Sequence, residues 1–473
     1  MGSLFSALST ASQSLQALDI AIEVTENNVT NANSPGYADQ VPQFTSQEFQ
    51  SDTGINTGGI KEVTQDTRDA YADTAVQQQL SLQGLYQQLQ TSLTPLQNVF
   101  DVSSSSAIPS ALNQLFQSFS QWATQPNNAG YQSDVLQAAQ TTASAFQQAA
   151  VQLGQIQTST TNDIQSTVTQ INQDAAAIQS YNLEVGQNPQ PDAGLSAQLE
   201  STLENLSGLA NIQVVNGIGN TVTVLLGGQT ALVEGAQVNQ LQAVNNTASN
   251  SGNPSAAPTI SILDSNGNDV TGSITSGSLA GLLSVRNTTL PSLIGGGQQV
   301  GGLNTLAQGL ADSVNNVLDQ ATTSSGQPGS PLFTYTANAP SGVAGSLAVS
   351  STITGSQLAP ASAGPPYVAN GAALTLAGLD SSSPGPVDGQ GFTQYFGSLT
   401  SQVGYAVSNA GTSASAQSQL VAQAESLQQQ VSGVSLDEEA TRLVQLQNSY
   451  QAVSKVVTVV DQMTQSLLDM IPT

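Results

Sequence analysis

Apolar residues at the amino-terminal end fall on a three/four repeat: Leu4, Leu8, Ala11, Leu15, Leu18, Ile22, Thr25 and Val29. Seven of those eight positions are apolar, which is the pattern of a helix laying one seam against a partner helix. Asn31-Ala32-Asn33 and the turn signal Ser34-Pro35-Gly36-Tyr37 put the end of this helix near Thr30. The carboxy-terminal end carries the same repeat at Leu436, Glu439, Leu443, Leu446, Tyr450, Val453, Val457, Val460, Thr464, Leu467 and Ile471, nine of the eleven apolar. Ser435 and Glu438 have capping-box spacing, and Asp437, Glu438 and Glu439 place negative charge at the positive end of the helix dipole. Two such seams at opposite ends of a chain are best satisfied by meeting, in an antiparallel coil or in a bundle shared between subunits.

Between the seams the period changes several times. An extended stretch (about 38–64) precedes a helical block that runs to about 210. Within it, residues 131–185 hold no Pro and one Gly, Gly154, with apolar positions recurring from Ala139 to Val185. Such a helix, if continuous, would be ~80 Å long. Val214-Val215, Thr221–Leu225, Ala231–Val233 and Thr259–Leu263 read as short strands between Gly/Asn turns. Helical pattern resumes at Ser278 and runs to about Gln320. Residues 323–390 are rich in Ser, Gly, Pro and Ala and read as loop-like, with a short strand near Leu347–Val349, before a last helical region at 391–431. The expected class is α+β and multidomain. Residues 1–37 plus 435–473 form a terminal coiled-coil unit, 38–210 plus 278–434 a helical rod, and 211–277 an inserted β-rich outer unit; 323–390 is a low-complexity insertion in the rod.

Composition narrows the chemistry. The 473 residues include no Cys and no His, 31 Asp plus Glu and 5 Lys plus Arg, for a net charge of -26. Charged residues make up 8%, against ~25% in an ordinary globular chain. Without Cys or His there is no disulfide, thiol nucleophile, imidazole base or His-ligated zinc. Five cations (Lys61, Arg68, Arg286, Arg442, Lys455) spread over the chain make no phosphate-neutralising patch, so nucleic acid is not an expected partner. The first 60 residues hold no Lys or Arg, so a cleaved signal peptide is not expected, and no apolar run is long enough to insert in a membrane.

Candidate sites mostly have plainer readings. Asp264-Ser265-Asn266-Gly267-Asn268-Asp269 has calcium-loop composition, but its Gly is fourth rather than sixth, and Asn266-Gly267 between strands is a type I′ hairpin signal. Gly295-Gly296-Gly297 and Gly301-Gly302 lack the following Lys of a phosphate loop and read as a helix break. Asp437–Glu439 is explained by capping and dipole. Asp19, Glu23 and Glu26 share one helix face off the seam and read as solvated. No catalytic residue, cofactor or metal site is expected, and the chain reads as a scaffold rather than an enzyme.

Asn27-Asn28-Val29-Thr30-Asn31-Ala32-Asn33-Ser34-Pro35-Gly36-Tyr37 behind a short amphipathic helix resembles the signature of bacterial flagellar rod, hook and hook-associated axial proteins. Within that group Ser432–Glu439 with Gln447-Asn448-Ser449-Tyr450-Gln451-Ala452 resembles the carboxy terminus of the hook-associated protein 1 family, and Gly277–Arg286 and Gly329-Ser330-Pro331-Leu332-Phe333 resemble its central region. The resemblance implies a subunit at the hook–filament junction, exported unfolded by the flagellar type III route to the extracellular flagellum. Its partners would be further copies in a ring or helical layer, the hook subunit, a second junction protein or flagellin, and an export chaperone. The implied assembly interface is Leu4, Leu8, Leu15, Leu18, Ile22 and Val29 with Leu436, Leu443, Leu446, Tyr450, Val453, Val457, Val460 and Leu467. The axial-protein motif is Asn27, Asn28, Asn31, Pro35, Gly36 and Tyr37. Other readings are another axial protein (hook subunit or flagellin), a secreted wall hydrolase and an adhesin.

Overall fold

The computed structural model describes residues 2–46, 60–102, 104, 107–187, 192–246, 259–295, 300–337, 342–362, 364, 367–383 and 385–469. The chain opens with α1 (Gly2–Asn31) and an antiparallel hairpin of β1 (Gln40–Ser46) and β2 (Ile60–Asp66). Four helices follow: α2 (Ala70–Val99), α3 (Ile108–Thr124), α4 (Ala129–Gln187) and α5 (Ala193–Leu209). Asp69 and Asp192 cap α2 and α5 by accepting hydrogen bonds from first-turn N–H groups, and Pro109 sits in the first turn of α3. The long apolar repeat seen in the sequence is one uninterrupted helix: α4 has 59 residues, about 88 Å at 1.5 Å per residue.

Next come β3 (Ile212–Asn216), β4 (Val222–Leu226), β5 (Thr230–Glu234) and β6 (Gln237–Val238), an antiparallel sheet in chain order. β7 (Gln242–Asn246) and β8 (Thr259–Leu263) form a separate pair. Alternate residues of β4, Val222, Val224 and Leu226, point into a core with Ile164, Ile171, Ile178 and Val185 of α4. Asn182 of α4 fastens the sheet to the helix: its Nδ2 donates to the carbonyls of Val222 (2.7 Å) and Gly235 (2.9 Å), and its Oδ1 accepts from Val222 N–H (2.8 Å). Asn172 does the same for Leu241. The hairpin at Asn266-Gly267 forms, but not as type I′. Gly267 alone of its residues has positive φ, and Gly267 N–H donates to the Asp264 carbonyl. The Asp264 carboxylate also accepts from the N–H groups of Asn266 and Asn268, so this side chain sets a type I turn with a left-handed glycine after it.

α6 (Ser278–Ser284), a π-turn (Val285–Thr289) and α7 (Leu290–Ile294) end at Gly295, and α8 (Gly302–Asp319) opens after Gly301; Gly296 and Gly297 of the expected break lie outside the described residues. A second core gathers Phe100, Leu115, Phe119, Trp122 and Phe146 with Leu310, Phe333 and Phe392. Phe116 stacks on Phe392 with centroids 5.7 Å apart.

The composition of 323–390 is misleading. After β9 (Ala321–Thr322), this stretch forms β10 (Phe333–Thr334), α9 (Gly342–Ser346), β11 (Ala348–Val349), β12 (Ala361–Ser362), which pairs with β9, and α10 (Gly371–Gly378). It also buries Leu332, Phe333, Leu347, Leu358 and Leu376 in the second core. A few large apolar residues anchor it, while the small ones between allow close turns. α11 (Phe392–Ser432) then runs along α2, and α12 (Leu436–Asp469) returns to α1.

Asn182 is the test of how the sheet is held. Asn182→Ala leaves buried backbone groups of Val222 and Gly235 unpaired and should cost about 2–4 kcal/mol in denaturant unfolding; a loss near zero would show that the sheet is held by apolar packing alone.

Candidate functional site at the joint of the terminal helices

α1 and α12 pack antiparallel. Leu18, Ala21 and Ile22 meet Leu446 and Val453 in a small core of their own, and farther along Asn28 meets Glu439. Leu18, Leu446 and Val460 are buried, and Leu4, Leu8, Leu15, Ile22, Leu443, Val453 and Val457 are half-buried. Val29, Leu436 and Tyr450 are exposed, while the Leu467 side chain and Ile471 lie outside the described residues. The buried line on α1 is Leu18, Ala21, Thr25, Asn28; it keeps Leu18 and Thr25 of the expected repeat, with Ala21 in place of Ile22 and Asn28 in place of Val29. The seam rotates because the last turn of α1 faces polar groups of the hairpin and of α12, which an asparagine can satisfy and a valine cannot.

Asn28 is fully buried. Its Nδ2 donates to Asp39 Oδ1 (2.6 Å), the Gln40 carbonyl (2.8 Å) and Glu439 Oε2 (3.0 Å). Its Oδ1 accepts from Tyr37 Oη (2.9 Å) and Gln40 N–H (3.1 Å). Burial and the neighbouring Asp39 raise the Tyr37 hydroxyl to about 12, so it stays a donor. Arg442 closes the group by bonding Glu439 Oε1 and lying 3.9 Å from Asp39 Oδ1. Dipole and capping account for the exposed Asp437 and Glu438 but not for Glu439, which is 1% exposed and serves as the acceptor linking α12 to Asn28 and Arg442. Among the described residues no acidic cluster is arranged to hold a metal.

The rest of the axial motif shapes the turn. Asn31 Nδ2 donates to the Asn27 carbonyl, and its Oδ1 accepts from Ser34 Oγ (3.1 Å), closing α1. The Asn27 side chain and Pro35 are exposed. Gly36 has φ +71°, and a Cβ there would come 2.4 Å from the Ala197 carbonyl oxygen on α5. Only glycine allows that approach. The Tyr37 side chain folds back onto α1, where its hydroxyl donates to Asn28.

A second polar cluster adjoins the first. Arg68, whose Nη2 donates to the Gly36 carbonyl (2.7 Å), lies 3.7 Å from Asp66, 3.7 Å from Asp73 and 3.6 Å from Glu200. Gln77 donates to Glu200, and Gln428 of α11 donates to Asp73 (2.8 Å) and Glu204 (3.4 Å). Burial, then the charge of Asp73, raises Glu200 to about 7. Burial also raises Asp73 and Glu204. The backbone N–H of Asp39 reaches the Ser432 carbonyl (2.9 Å), and that of Asp69 reaches Ser432 Oγ (3.0 Å), so the carboxy end of α11 is tied in too. Sequence reasoning missed Arg68, Asp73, Glu200, Glu204 and Gln428. The one available signal was scarcity: two of only five cations serve this joint.

Two outcomes test the joint. Asn28→Ala should speed hydrogen exchange in α1 by tenfold or more while leaving the melting of the rod unchanged; unaltered exchange would mean that the apolar seam alone holds α1. Glu200 keeps a proton in the fold that the unfolded chain releases above its ordinary value of 4.5. Its contribution is therefore complete below about pH 4.5 and lost as pH rises to about 7. Glu200→Gln should flatten the fall of the melting temperature across that window, and an identical slope in the variant would contradict this.

Residues 93–333 match the model of the flagellar hook-associated protein FlgK helical domain, and residues 428–470 match that of the flagellar basal body rod FlgEFG protein C-terminal region. Flagellar hook-associated protein 1 of Bacillus subtilis (strain 168) is 24% identical over 99% of each chain. The structure of the flagellar hook junction protein FlgK from Burkholderia pseudomallei superposes with TM-score 0.66 at 18% identity, covering 76% of this chain and 100% of that one; that likeness supports the α+β, multidomain fold. With a family model matching half of its length, inside a fold whose two ends are knotted together at Asn28, the chain belongs to the flagellar hook-associated protein FlgK family.

Proposed function

We propose that this chain is a non-enzymatic structural subunit of the extracellular flagellum that joins the hook to the filament, assembling through the α1–α12 pair. One observation carries the reading: the pair satisfies only one side of each helix. Val444, Val456, Val459 and Met463 of α12 and Ile20 of α1 remain about half exposed, beside the exposed Val29, Leu436 and Tyr450. Isolated apolar side chains on a surface are ordinary, but two long helices with so many, remote from the main cores, suit burial between subunits. Leu18 and Leu446 would hold the pair together within one copy, while the outer faces meet neighbouring copies.

The neighbours suggested by the family are further copies in a ring or helical layer, the hook subunit on one side and a second junction protein or flagellin on the other, with a chaperone during type III export. Residues 1–37 plus 435–473 would act as the inner unit, with the rod and the 211–277 insertion outside it. The paucity of charge suits such a lattice: apolar, amide and hydroxyl contacts are screened little by salt.

Removing residues 436–473 should leave a soluble rod and a cell with hooks but no filaments, with flagellin shed into the medium. Val444→Glu with Val456→Glu should give the same phenotype while the purified monomer melts within about 0.5 kcal/mol of the parent, as surface changes do. Filaments of normal number and length in either strain would contradict the assignment.

A further inference from the structure

The rod has two cores, and they do not merge. On α4 the last buried member of one is Leu153 and the first of the other is Ile164. Between them the helix reads Gly154-Gln155-Ile156-Gln157-Thr158-Ser159-Thr160-Thr161-Asn162-Asp163, where Ile156 alone adds partial apolar packing. The hydroxyls of Thr158, Thr160 and Thr161 donate to carbonyls four residues back, as those of Thr141, Thr142, Thr167 and Thr169 do elsewhere in α4; such bonds slightly weaken a helix. Gly154 weakens the helix further, and packing does not demand it: a Cβ there would meet nothing within 4 Å. By contrast, Gly84 and Gly281 are held against backbone carbonyls of facing helices.

The elements beside this stretch change character at the same level. On α2, Leu85 packs against the core under the sheet and Leu93 belongs to the other, with Gln88 donating to Ser92 Oγ (2.9 Å) between them. Facing Thr161 is the π-turn; Leu283, at the end of α6, belongs to one core and Val285, the first residue of the π-turn, to the other. Arg286 at its start is 3% exposed, and its Nε donates to Thr161 Oγ1 (3.1 Å). Its Nη1 has no partner, and no carboxylate pairs with it among the described residues. A buried guanidinium so poorly matched weakens the packing around it. π-turns inside helices often mark functional positions.

We propose that the rod flexes at this waist: the lobe that carries the β insertion and the lobe built on Trp122 and Phe146 bend relative to one another about Gly154–Thr161 and the π-turn. Arg286 keeps the two cores from closing into one. The subunit can then adjust its rod while the α1–α12 pair stays in register.

The Cys-free chain allows a direct test. Spin labels at Gln114→Cys on α3 and Gln237→Cys on β6 span the waist; labels at Gln114→Cys and Ser398→Cys lie within one lobe. Pulsed electron paramagnetic resonance on the full chain should give a broader distance distribution for the spanning pair than for the control. Gly154→Ala, which the open space tolerates, should narrow it to near the control width. In hydrogen exchange, amides at 156–163 should exchange at least tenfold faster than those at 143–152 and 166–176. A spanning distribution as narrow as the control, with even protection along α4, would overturn the proposal.

Discussion

The carboxamide of Asn28 is bonded at the same time to the hairpin that follows α1 and, through Glu439, to the helix that ends the chain. The hydrogen bond to Glu439 bridges 411 positions of sequence. A buried amide must satisfy both its donors and its acceptor, and here the partners are Tyr37, Asp39 and Gln40 of the segment entering the hairpin together with Glu439 of α12. The geometry therefore admits one arrangement of α1, hairpin and α12. A carboxylate in place of the amide would set a third anion beside Asp39 and Glu439; an aliphatic side chain would leave both without this donor. The direction in which the terminal pair leaves the rod rests on this group, and the Arg68 cluster fixes the hairpin to α2 and α5 behind it.

Scarcity of charge makes these contacts specific. In a chain with 5 cations and 31 anions, most carboxylates must face water, as Asp19, Glu23 and Glu26 do. Arg68 and Arg442 are placed where several buried carboxyls converge, and neither cluster has cations enough for full neutralisation. Burial raises Glu200 toward its protonated form, and amide donors from Gln77 and Gln428 meet the remaining carboxyl oxygens. Elsewhere Asn172, Asn182 and Asn287 do for backbone edges what ion pairs cannot do here.

Much of the fold was legible because period and length are local signals. The continuous α4, the strands of the insertion, the glycine break and the two terminal helices all announce themselves in the spacing of Val, Ile, Leu and Ala. Packing in 323–390 was not legible: Leu332, Phe333, Leu347 and Leu358 are too few and too scattered to make a period, and α4, which helps to bury them, lies far away in sequence. The joint was half legible. The Asn-rich motif and the acidic start of α12 stood out as residues, but their pairing did not, since a partner 411 positions distant leaves no trace in local spacing. From its first-turn position Glu439 reads as a dipole residue, and only its burial beside Asn28 and Arg442 shows its other role. Phase is the remaining loss. A three/four repeat fits both Val29 and Asn28 within a residue, and the polar surroundings of the last turn of α1 decide for Asn28.

The ends of the chain, fixed to each other and to the rod at Asn28, are proposed as the contact layer between subunits. A reconstruction by electron cryomicroscopy of the native hook–filament junction, at a resolution that separates helices, tests it most directly. α1 and α12 should be paired antiparallel at the smallest radius, their outer apolar faces covered by adjacent copies, with the rod and β insertion outside. Terminal helices separated from one another, or lying at the outer surface with Val444 and Val456 in solvent, would contradict it.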